Sequence, residues 1–576
     1  MSSISTSTNS GWRSAPEGDK SDVGGSCAWV LTSHLLIMVS GAGNMRRSPY
    51  TALLIIVILS SFLNILALRK GHGWGDDFAL YIAQAKSLVE GNMEKLHEQN
   101  TFAMAHSTYP IGPNLVPWGF PLLLSPIYAI FGLNLLAMKM VEIFFFALSL
   151  IIIFGMFVGK LDNTLTLLLV SFFAFNPFFF VLNDHIISDI PYLFFSLLSI
   201  FIIEKILIEN KLSNFRAISF LLIGFLAFLS YSIRPTGFVL LFLLFIVQTV
   251  SVMRVHDRKV KEYIMSNKLF WLPYAAFALC ELIIRLLLPS GIGSYFAYFS
   301  SIDLTLIKNN IIYYISLPSE FFGLYFPSIV YGSTLPFVIL GIRRKFKTNY
   351  LYIAYSIGVL FSLILLPYVG GLRYILPIFP FFIYFFCVGL SSFYSQFNLP
   401  VIRFFFMLKP SYAFMLIIIC LLSLSSVRII YSNFNSEQTI DGPFTEKSLE
   451  MINFIAHHTD KDDIIVFFKP RVLRLLTERQ SIMISDFSQI MKKHVDYLVI
   501  RKSLGSHDPI PPNYDQISPY SKEFSRLTEM FPIIFENVNF TILRLQDYAK
   551  SERMQEGGER RGLPPLLTFP HQGGRD

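Results

Sequence analysis

Two adjacent carboxylates follow the first long apolar run of this 576-residue sequence. They are Asp76 and Asp77, in the stretch RKGHGWGDDFALYIAQAKSLVEGN at 69–92. Other ionisable residues border later apolar runs: Asp184, His185 and Asp189 in VLNDHIISDIPYLFF, Arg234 in SYSIRPTG and Arg373 in GGLRYILP. Placing charge at the edge of a membrane is costly, so such residues are candidates for function.

Acids and arginines that face an apolar groove suit a substrate that carries both a phosphate and a lipid. An arginine can hold a phosphate bidentately and stabilise it as a leaving group. A carboxylate can accept the proton of an attacking hydroxyl as a general base. A second acid could orient that base, bind a sugar hydroxyl or hold a divalent metal. The apolar walls would receive a prenyl chain.

The composition predicts a polytopic membrane protein. The chain is 53% hydrophobic and 15% charged, with a mean hydropathy of +0.53, whereas soluble domains are nearer to about 25% charged. The net charge of +8 is therefore no indication of nucleic-acid binding, and none is predicted. Three of the four cysteines lie inside apolar runs, so neither a disulfide framework nor a CxxC metal site is predicted.

A membrane-spanning helix needs about twenty apolar residues. About eleven runs approach that length: 49–68, 134–159, 163–182, 190–208, 216–232, 236–253, 269–288, 324–342, 350–369, 374–392 and 411–431. The apolar segment 117–132 is shorter and interrupted by proline, which indicates an interfacial or re-entrant element.

Lysine and arginine concentrate in alternate loops, which predicts that these loops are cytoplasmic. They include 253–268, 343–349 and 393–410. The loops of the opposite face carry the polar candidates, with His72 and His106 in the first of them. An odd number of spans places the C-terminal region on that same outer face. We therefore expect the polar residues to converge at one membrane-edge cavity facing the periplasm or exterior of an inner (cell) membrane.

These patterns predict four segments. Residues 1–44 are a disordered or mis-assigned extension, since Met45 precedes two arginines and an apolar helix. Residues 45–432 are predicted to form a transmembrane domain that carries the candidate catalytic residues, and its first extracytoplasmic loop is 69–133. Residues 437–548 contain short β-type runs, in DDIIVFFKP, VDYLVI and FENVNFTILRL, which predict a small extracytoplasmic α/β domain. Residues 549–576 are predicted to be disordered.

Several of these stretches resemble a known superfamily in content and order. GDDFALYIAQAKSLVEGN is similar to the acidic first-loop motif of GT-C glycosyltransferases, and YPIGPNLVPWGFPLLLSPIYAIFG (109–132) to their Tyr-Pro-Pro-Gly segment. SDIPYLFFSLLSIFIIEK, RPTGFVLLFLL and RYILPIFPFF follow in the order of that superfamily. The resemblance covers roughly 45–400 and is nearest to the branch of protein O-mannosyltransferases and lipid A aminoarabinose transferases.

The resemblance implies a GT-C fold and an enzyme that transfers a sugar, with inversion, from a polyprenyl-phosphate donor to an acceptor lipid, protein or glycan. Carried over by position, Asp77 is the catalytic base, with Asp76 as the second candidate. The implied substrate-binding residues are Asp189, Arg373, Tyr374, Arg234, His106, Tyr109 and Tyr81. No cofactor is assigned with certainty. A divalent metal is left open, with Asp76, Asp189 and His185 as candidate ligands.

The same residues also have purely structural interpretations. Asp76, Asp77 and Asp189 could cap the helices that follow them, and the two arginines could be interfacial anchors. The sequence also departs from the superfamily motif, because Ile111 replaces its second proline. The alternative functions are a flippase or transporter of a polyprenyl-linked substrate, an oligosaccharide ligase or polymerase, and an assembly protein that binds through its outer domain.

Overall fold

The computed structural model describes most of the chain between Ser48 and Leu545. The described residues are 48–108, 111–209, 216–255, 268–291, 303–323, 325–366, 370–397, 409–435, 439–484, 487–490, 493–502 and 522–545. They divide into two compact units. The first unit runs to Glu446 without the short segment His106–Pro110, and the second consists of that segment and the chain from Lys447 onward.

The first unit is helical. Its helices are α1 (Pro49–Leu66), α2 (Asp76–Glu90), α3 (Met93–His106), α4 (Gly119–Phe131), α5 (Leu135–Phe157), α6 (Asn163–Ala174), α7 (Pro177–Asn183), α8 (Asp189–Ile203), α9 (Arg216–Ile233), α10 (Val239–Val255), α11 (Lys268–Leu287), α12 (Leu304–Ser316), α13 (Pro327–Lys345), α14 (Tyr350–Ile364), α15 (Phe379–Phe397) and α16 (Pro410–Asn435). A π-helical turn, Glu204–Ile208, extends α8, and 3₁₀ turns precede α10 (Pro235–Phe238) and α15 (Leu372–Ile378) and follow α12 (Leu317–Phe322).

The chain is a polytopic α-helical membrane protein, as predicted. Among the described residues, seven helices are long and apolar enough to span a membrane, or up to nine if two bent pairs each count as one span. One bent pair is α6 and α7, which meet at 48° where the sequence predicted the single run 163–182. The predicted runs 216–232 and 350–369 form shorter apolar helices. The total of about eleven spans thus stays a prediction.

The first unit is held together by close packing of aromatic rings and small residues. Phe321 stacks on Phe379 with ring centroids 3.8 Å apart. Helices α13 and α15 approach so closely that a Cβ atom on Gly341 or Gly389 would collide with the backbone carbonyl of the facing helix. Within a bilayer the lipid is as apolar as the side chains, so such packing replaces the hydrophobic effect in holding helices together.

A largely buried polar cluster links the turn after α5 and the C-terminal end of α8 to α14. Lys160 Nζ lies 2.7 Å from Glu204 Oε2 and donates a hydrogen bond of 2.7 Å to the Tyr352 hydroxyl. That hydroxyl donates to Glu204 Oε2 at 2.8 Å. Each polar group thus has a partner, which is what allows charge to be buried there.

The second unit contains the small α/β domain. Helix α17 (Glu446–His458) leads into β1 (Ile464–Val466), α18 (Pro470–Thr477), β2 (Gln480–Ile482), α19 (Phe487–Ile490), β3 (Tyr497–Arg501), α20 (Lys522–Met530), β4 (Ile533–Glu536) and β5 (Phe540–Arg544). The strand order is β2-β1-β3-β5-β4, with β1 parallel to β2 and β3, and β5 antiparallel to β3 and β4. Strands β1, β3 and β5 confirm the predicted β-type runs.

Replacing Gly341 with alanine tests the close approach of α13 and α15. The added methyl group would collide with the backbone carbonyl of Phe385, so we expect a loss of about 1–3 kcal/mol in the free energy of unfolding. Gly332 lies on the same helix in open space, and Gly332→Ala should be neutral or stabilising by up to about 1 kcal/mol. Thermal midpoints of the two purified variants in detergent provide the comparison, and equal midpoints would contradict the packing argument.

Candidate active site

Helix α2 presents the paired acids at its N-terminus. Its N-cap is Gly75, which offers no side-chain cap, and Asp76 and Asp77 occupy the first turn. Neither acid is therefore the N-cap, although negative charge in the first turn still suits the helix dipole. The helix ends at Gly91 with φ of 70°, a left-handed residue that favours glycine. Asp76 is half-buried, whereas the Asp77 side chain is 55% exposed.

The second-loop acid, Asp189, is the first residue of α8, and its N-cap is Ser188. The Asp189 side chain is 1% exposed. Its Oδ1 accepts a hydrogen bond from Arg234 Nη1, and its Oδ2 lies 3.9 Å from Arg373 Nη1. Asp189 is thus a buried carboxylate between two guanidinium groups rather than a cap.

Arg373 connects the two acids. Its Nη2 lies 3.3 Å from Asp77 Oδ2, and its side chain is 32% exposed. The ring of Tyr374 lies against both arginines, with its centroid 4.6 Å from Arg234 Cζ and 5.3 Å from Arg373 Cζ. Arg234 and Arg373 are therefore parts of one charge cluster, not isolated interfacial anchors. The structure thus brings together the predicted residues Asp77, Asp189, Arg234, Arg373 and Tyr374.

Tyr81 joins this cluster from the second turn of α2. Its hydroxyl lies 2.9 Å from Ser188 Oγ, next to Asp189 in the chain. Burial, together with the negative charge of Asp77, raises the pKa of Tyr81. Its hydroxyl therefore stays protonated at neutral pH and can act as a hydrogen-bond donor or acceptor.

Two of the predicted substrate-binding residues, His106 and Tyr109, are not among the described residues of this cluster. His106 belongs to the second unit, where its carbonyl oxygen accepts a hydrogen bond from the Lys493 amine. Tyr109 lies outside the described residues. Within the described part of the chain, no group of three or more His, Cys, Asp or Glu side chains could hold a metal ion. Asp76, Asp189 and His185 therefore do not form such a group.

Three further ionisable residues, Lys139, Arg69 and Glu142, bind the loop between α7 and α8. Lys139 Nζ donates to Asp184 Oδ1 at 2.8 Å, while Arg69 Nε donates to Asp184 Oδ2 at 2.7 Å. The fully buried Glu142 accepts a hydrogen bond of 3.2 Å from the backbone N–H of Ile187. Sequence reasoning missed Lys139 and Glu142 because they lie inside the apolar run 134–159. The signal was available, since two ionisable residues within one span are themselves unusual.

An apolar cavity of about 410 Å³ is lined in part by sequence neighbours of Arg234. It is lined by Leu115, Val116, Pro117, Trp118, Tyr231, Ser232, Pro235, Phe238, Glu281, Ile284, Arg285, Leu288, Pro289, Ser290 and Gly291. Trp118 Nε1 donates to the Pro289 carbonyl at 2.8 Å, which fixes the ring in the wall. Ser232 and Pro235 flank Arg234, so the cavity and the charge cluster share the turn between α9 and α10.

Comparisons with known proteins find similarity in structure. ArnT from Cupriavidus metallidurans bound to undecaprenyl phosphate superposes with a TM-score of 0.52 at 10% identity, over 85% of this chain and 97% of that chain. The apo state of that protein gives 0.53 at 11% identity, over 86% and 98%. An oligosaccharyltransferase from Archaeoglobus fulgidus gives 0.49 at 10% identity, over 79% and 70%. No protein-family profile and no curated protein sequence matches the chain.

ArnT is a lipid A aminoarabinose transferase of the GT-C superfamily. The present chain therefore has the GT-C fold, which confirms the fold that the sequence resemblance implied. At 10–11% identity this likeness concerns the fold.

The buried imidazole of His72 predicts a pH-dependent stability. Burial lowers the pKa of His72 well below 6.5, and the neighbouring His185 and Lys139 lower it further. The unfolded chain would bind a proton near pH 6.5 that the folded protein does not. The stabilising contribution of His72 is therefore complete above about pH 6.5 and is lost as the pH falls towards the folded-state pKa.

We expect a lower thermal midpoint at pH 5 than at pH 7.5. Below about pH 6.5, one histidine of this kind lowers the free energy of unfolding by up to about 1.4 kcal/mol per pH unit. Burial also lowers the pKa of His185, so His72→Gln should reduce the dependence rather than abolish it. Thermal unfolding of both proteins across this pH range measures the effect. Parallel curves would contradict the assignment to His72.

Proposed function

We propose that this chain is a membrane glycosyltransferase that moves a sugar from a polyprenyl-phosphate donor to an acceptor, with inversion and with Asp77 as general base. The observation that carries the proposal is the bridge formed by Arg373 between the exposed Asp77 and the buried Asp189. The GT-C fold and the likeness to ArnT, whose structure was determined with undecaprenyl phosphate, support it.

Asp77 is the better candidate for the base because it is the more accessible acid. Its exposed side chain can meet an acceptor, whereas Asp76 is half-buried. In the proposed step Asp77 takes the proton of the acceptor group, and the freed oxygen attacks the anomeric carbon of the donor. A bond forms between them as the bond from that carbon to the phosphate oxygen breaks, so polyprenyl phosphate leaves. A single displacement of this kind inverts the anomeric centre.

Arg373 is suited to the phosphate because its side chain is partly exposed and already anchored. Asp189 holds it from the buried side, while its Nη2 faces Asp77. A donor phosphate would compete with Asp77 for that nitrogen. Binding of the donor would then release Asp77 to act as a base and would place the guanidinium on the leaving group. Arg234 lies on the other oxygen of Asp189 and adds positive charge behind it.

The apolar cavity offers a place for the start of the prenyl chain. Its wall contains both residues that flank Arg234, and most of its lining is apolar. A lipid phosphate bound to the arginines would therefore have apolar surface next to its first isoprene units.

The distribution of lysine and arginine among the loops supports one orientation of the chain in the membrane. Because the lysine- and arginine-rich loops alternate with those that carry Asp77, Asp189, Arg234 and Arg373, we propose that the site faces the periplasm or exterior of the inner membrane.

The test uses membranes that contain the wild type, Asp76→Asn, Asp77→Asn or the double variant, each given a panel of radiolabelled polyprenyl-phosphate sugars with and without divalent metal. The rate at which label leaves the donor is measured. Loss of a general base costs about 10²–10⁴-fold, so we expect that loss in Asp77→Asn, a smaller one in Asp76→Asn and no transfer in the double variant.

Asp303→Asn is the matched control, because Asp303 caps α12 through a hydrogen bond to the backbone N–H of Leu306 and asparagine caps equally well. It should transfer at the wild-type rate. Full activity of the double variant would refute the assignment of the acids. A donor that binds but is never consumed would instead favour a lipid carrier.

A further inference from the structure

The segment between the buried Asp184 and Asp189 is fixed by side chains from other elements at nearly every residue. Arg69 and Lys139 bind Asp184, and Tyr81 contacts Ser188. The backbone N–H groups of Ile186 and Ile187 donate to His72 and Glu142 respectively. These contacts hold the loop in one conformation up to Asp189, where α8 begins.

His72 makes one of these contacts through a defined tautomer. The backbone N–H of Ile186 can only donate, so His72 Nε2, 3.1 Å away, is the acceptor. The ring proton therefore resides on Nδ1, which donates to the Gly73 carbonyl at 3.0 Å. The side chain is buried, with 4% of its surface exposed. The imidazole is thus neutral and held at both nitrogens.

The same ring also contacts the helix that carries the paired acids. It stacks on Phe78, with ring centroids 3.9 Å apart and an interplanar angle of 25°. Phe78 directly follows Asp77 in α2, and Ile186 lies three residues before Asp189. One imidazole therefore contacts the segments of both acids that Arg373 bridges. The ring of His185 packs edge-on against that of His72, with ring centroids 5.2 Å apart.

We infer that His72 is a positioning residue for the reaction at this site. It sets the spacing between Asp77 and Asp189, and hence the place of Arg373 between them, without itself touching substrate. The inference rests on the proposed function. A displacement of about 1 Å at a reacting group can cost about a hundredfold in rate, so the loss of this contact should lower kcat more than it alters KM.

Two substitutions of His72 distinguish its role as a hydrogen-bond acceptor from its role as an aromatic ring. Gln has an amide oxygen at the distance of Nε2 and can accept the Ile186 N–H, so His72→Gln should restore most of kcat. Phe keeps the stacking on Phe78 but offers no acceptor, so His72→Phe should lower kcat by about ten- to a hundredfold. His457→Phe, at an exposed position on α17, is a control for the substitution itself.

A second readout follows the contact without relying on turnover. Hydrogen–deuterium exchange of the peptide that contains Ile186 should be faster in His72→Phe and close to wild type in His72→Gln. Wild-type kcat in His72→Phe would overturn the inference, whether or not exchange changes, because the contact would then be structural only. Unchanged exchange in a His72→Phe protein of reduced kcat would overturn it as well.

Failure of the proposed function would look different. If the wild-type protein consumes no donor, the transferase proposal fails. The His72 variants are then compared by their binding of undecaprenyl phosphate, measured as the gain in thermal midpoint, instead of by kcat. A smaller gain in His72→Phe than in His72→Gln would support the positioning role, and equal gains would refute it.

Discussion

A single buried carboxylate organises the site. Asp189 has 1% of its side chain exposed and meets a guanidinium group on each oxygen. Neither a lone carboxylate nor a lone guanidinium is tolerated out of water, so the three groups hold one another in place. Their elements are the start of α8, the end of α9 and the turn before α15. Segments far apart in sequence are thus fixed around one point by the need to compensate charge.

The exposed fraction of the side chain increases from Asp189 through Arg373 to Asp77. Asp189 is buried, Arg373 is 32% exposed and Asp77 is 55% exposed. The interior charges therefore have fixed partners, while the outermost pair is partly exposed to solvent. A surface ion pair such as Asp77 with Arg373 contributes little to stability. In the proposed mechanism, this pair holds Asp77 and Arg373 near each other until the donor phosphate separates them.

Much of this arrangement could be predicted from the sequence, and the reasons are physical. Long apolar runs indicated the helices, because a spanning segment has few other solutions. The acids and arginines stood out because charge is rare at such positions. The sequence also indicated strands β1, β3 and β5, through short β-type runs. The resemblance to GT-C enzymes supplied the order of the motifs, and the fold agrees with it.

The remainder depended on three-dimensional contacts. Nothing in the spacing of Asp189, Arg234 and Arg373 says which oxygen meets which nitrogen. The helix-cap interpretation of the acids was wrong because Gly75 and Ser188 occupy the cap positions. Helix α12 was overlooked, since Lys308, Asn309 and Asn310 interrupt its apolar pattern. Lys139 and Glu142 were hidden inside an apolar run, and their importance appears only when the loop they support is seen.

The polar cluster of Lys160, Glu204 and Tyr352 gives α8 a second anchor. Asp189 lies at one end of this helix and Glu204 just past the other, about 22 Å away along the axis. A helix tied by ion pairs at both ends cannot slide or tilt without separating opposite charges in an apolar medium. It therefore keeps a fixed position among its neighbours. The contact between the Tyr81 hydroxyl and Ser188 Oγ attaches α2 to the N-terminal end of this helix, so the helix that carries Asp77 shares its fixed position.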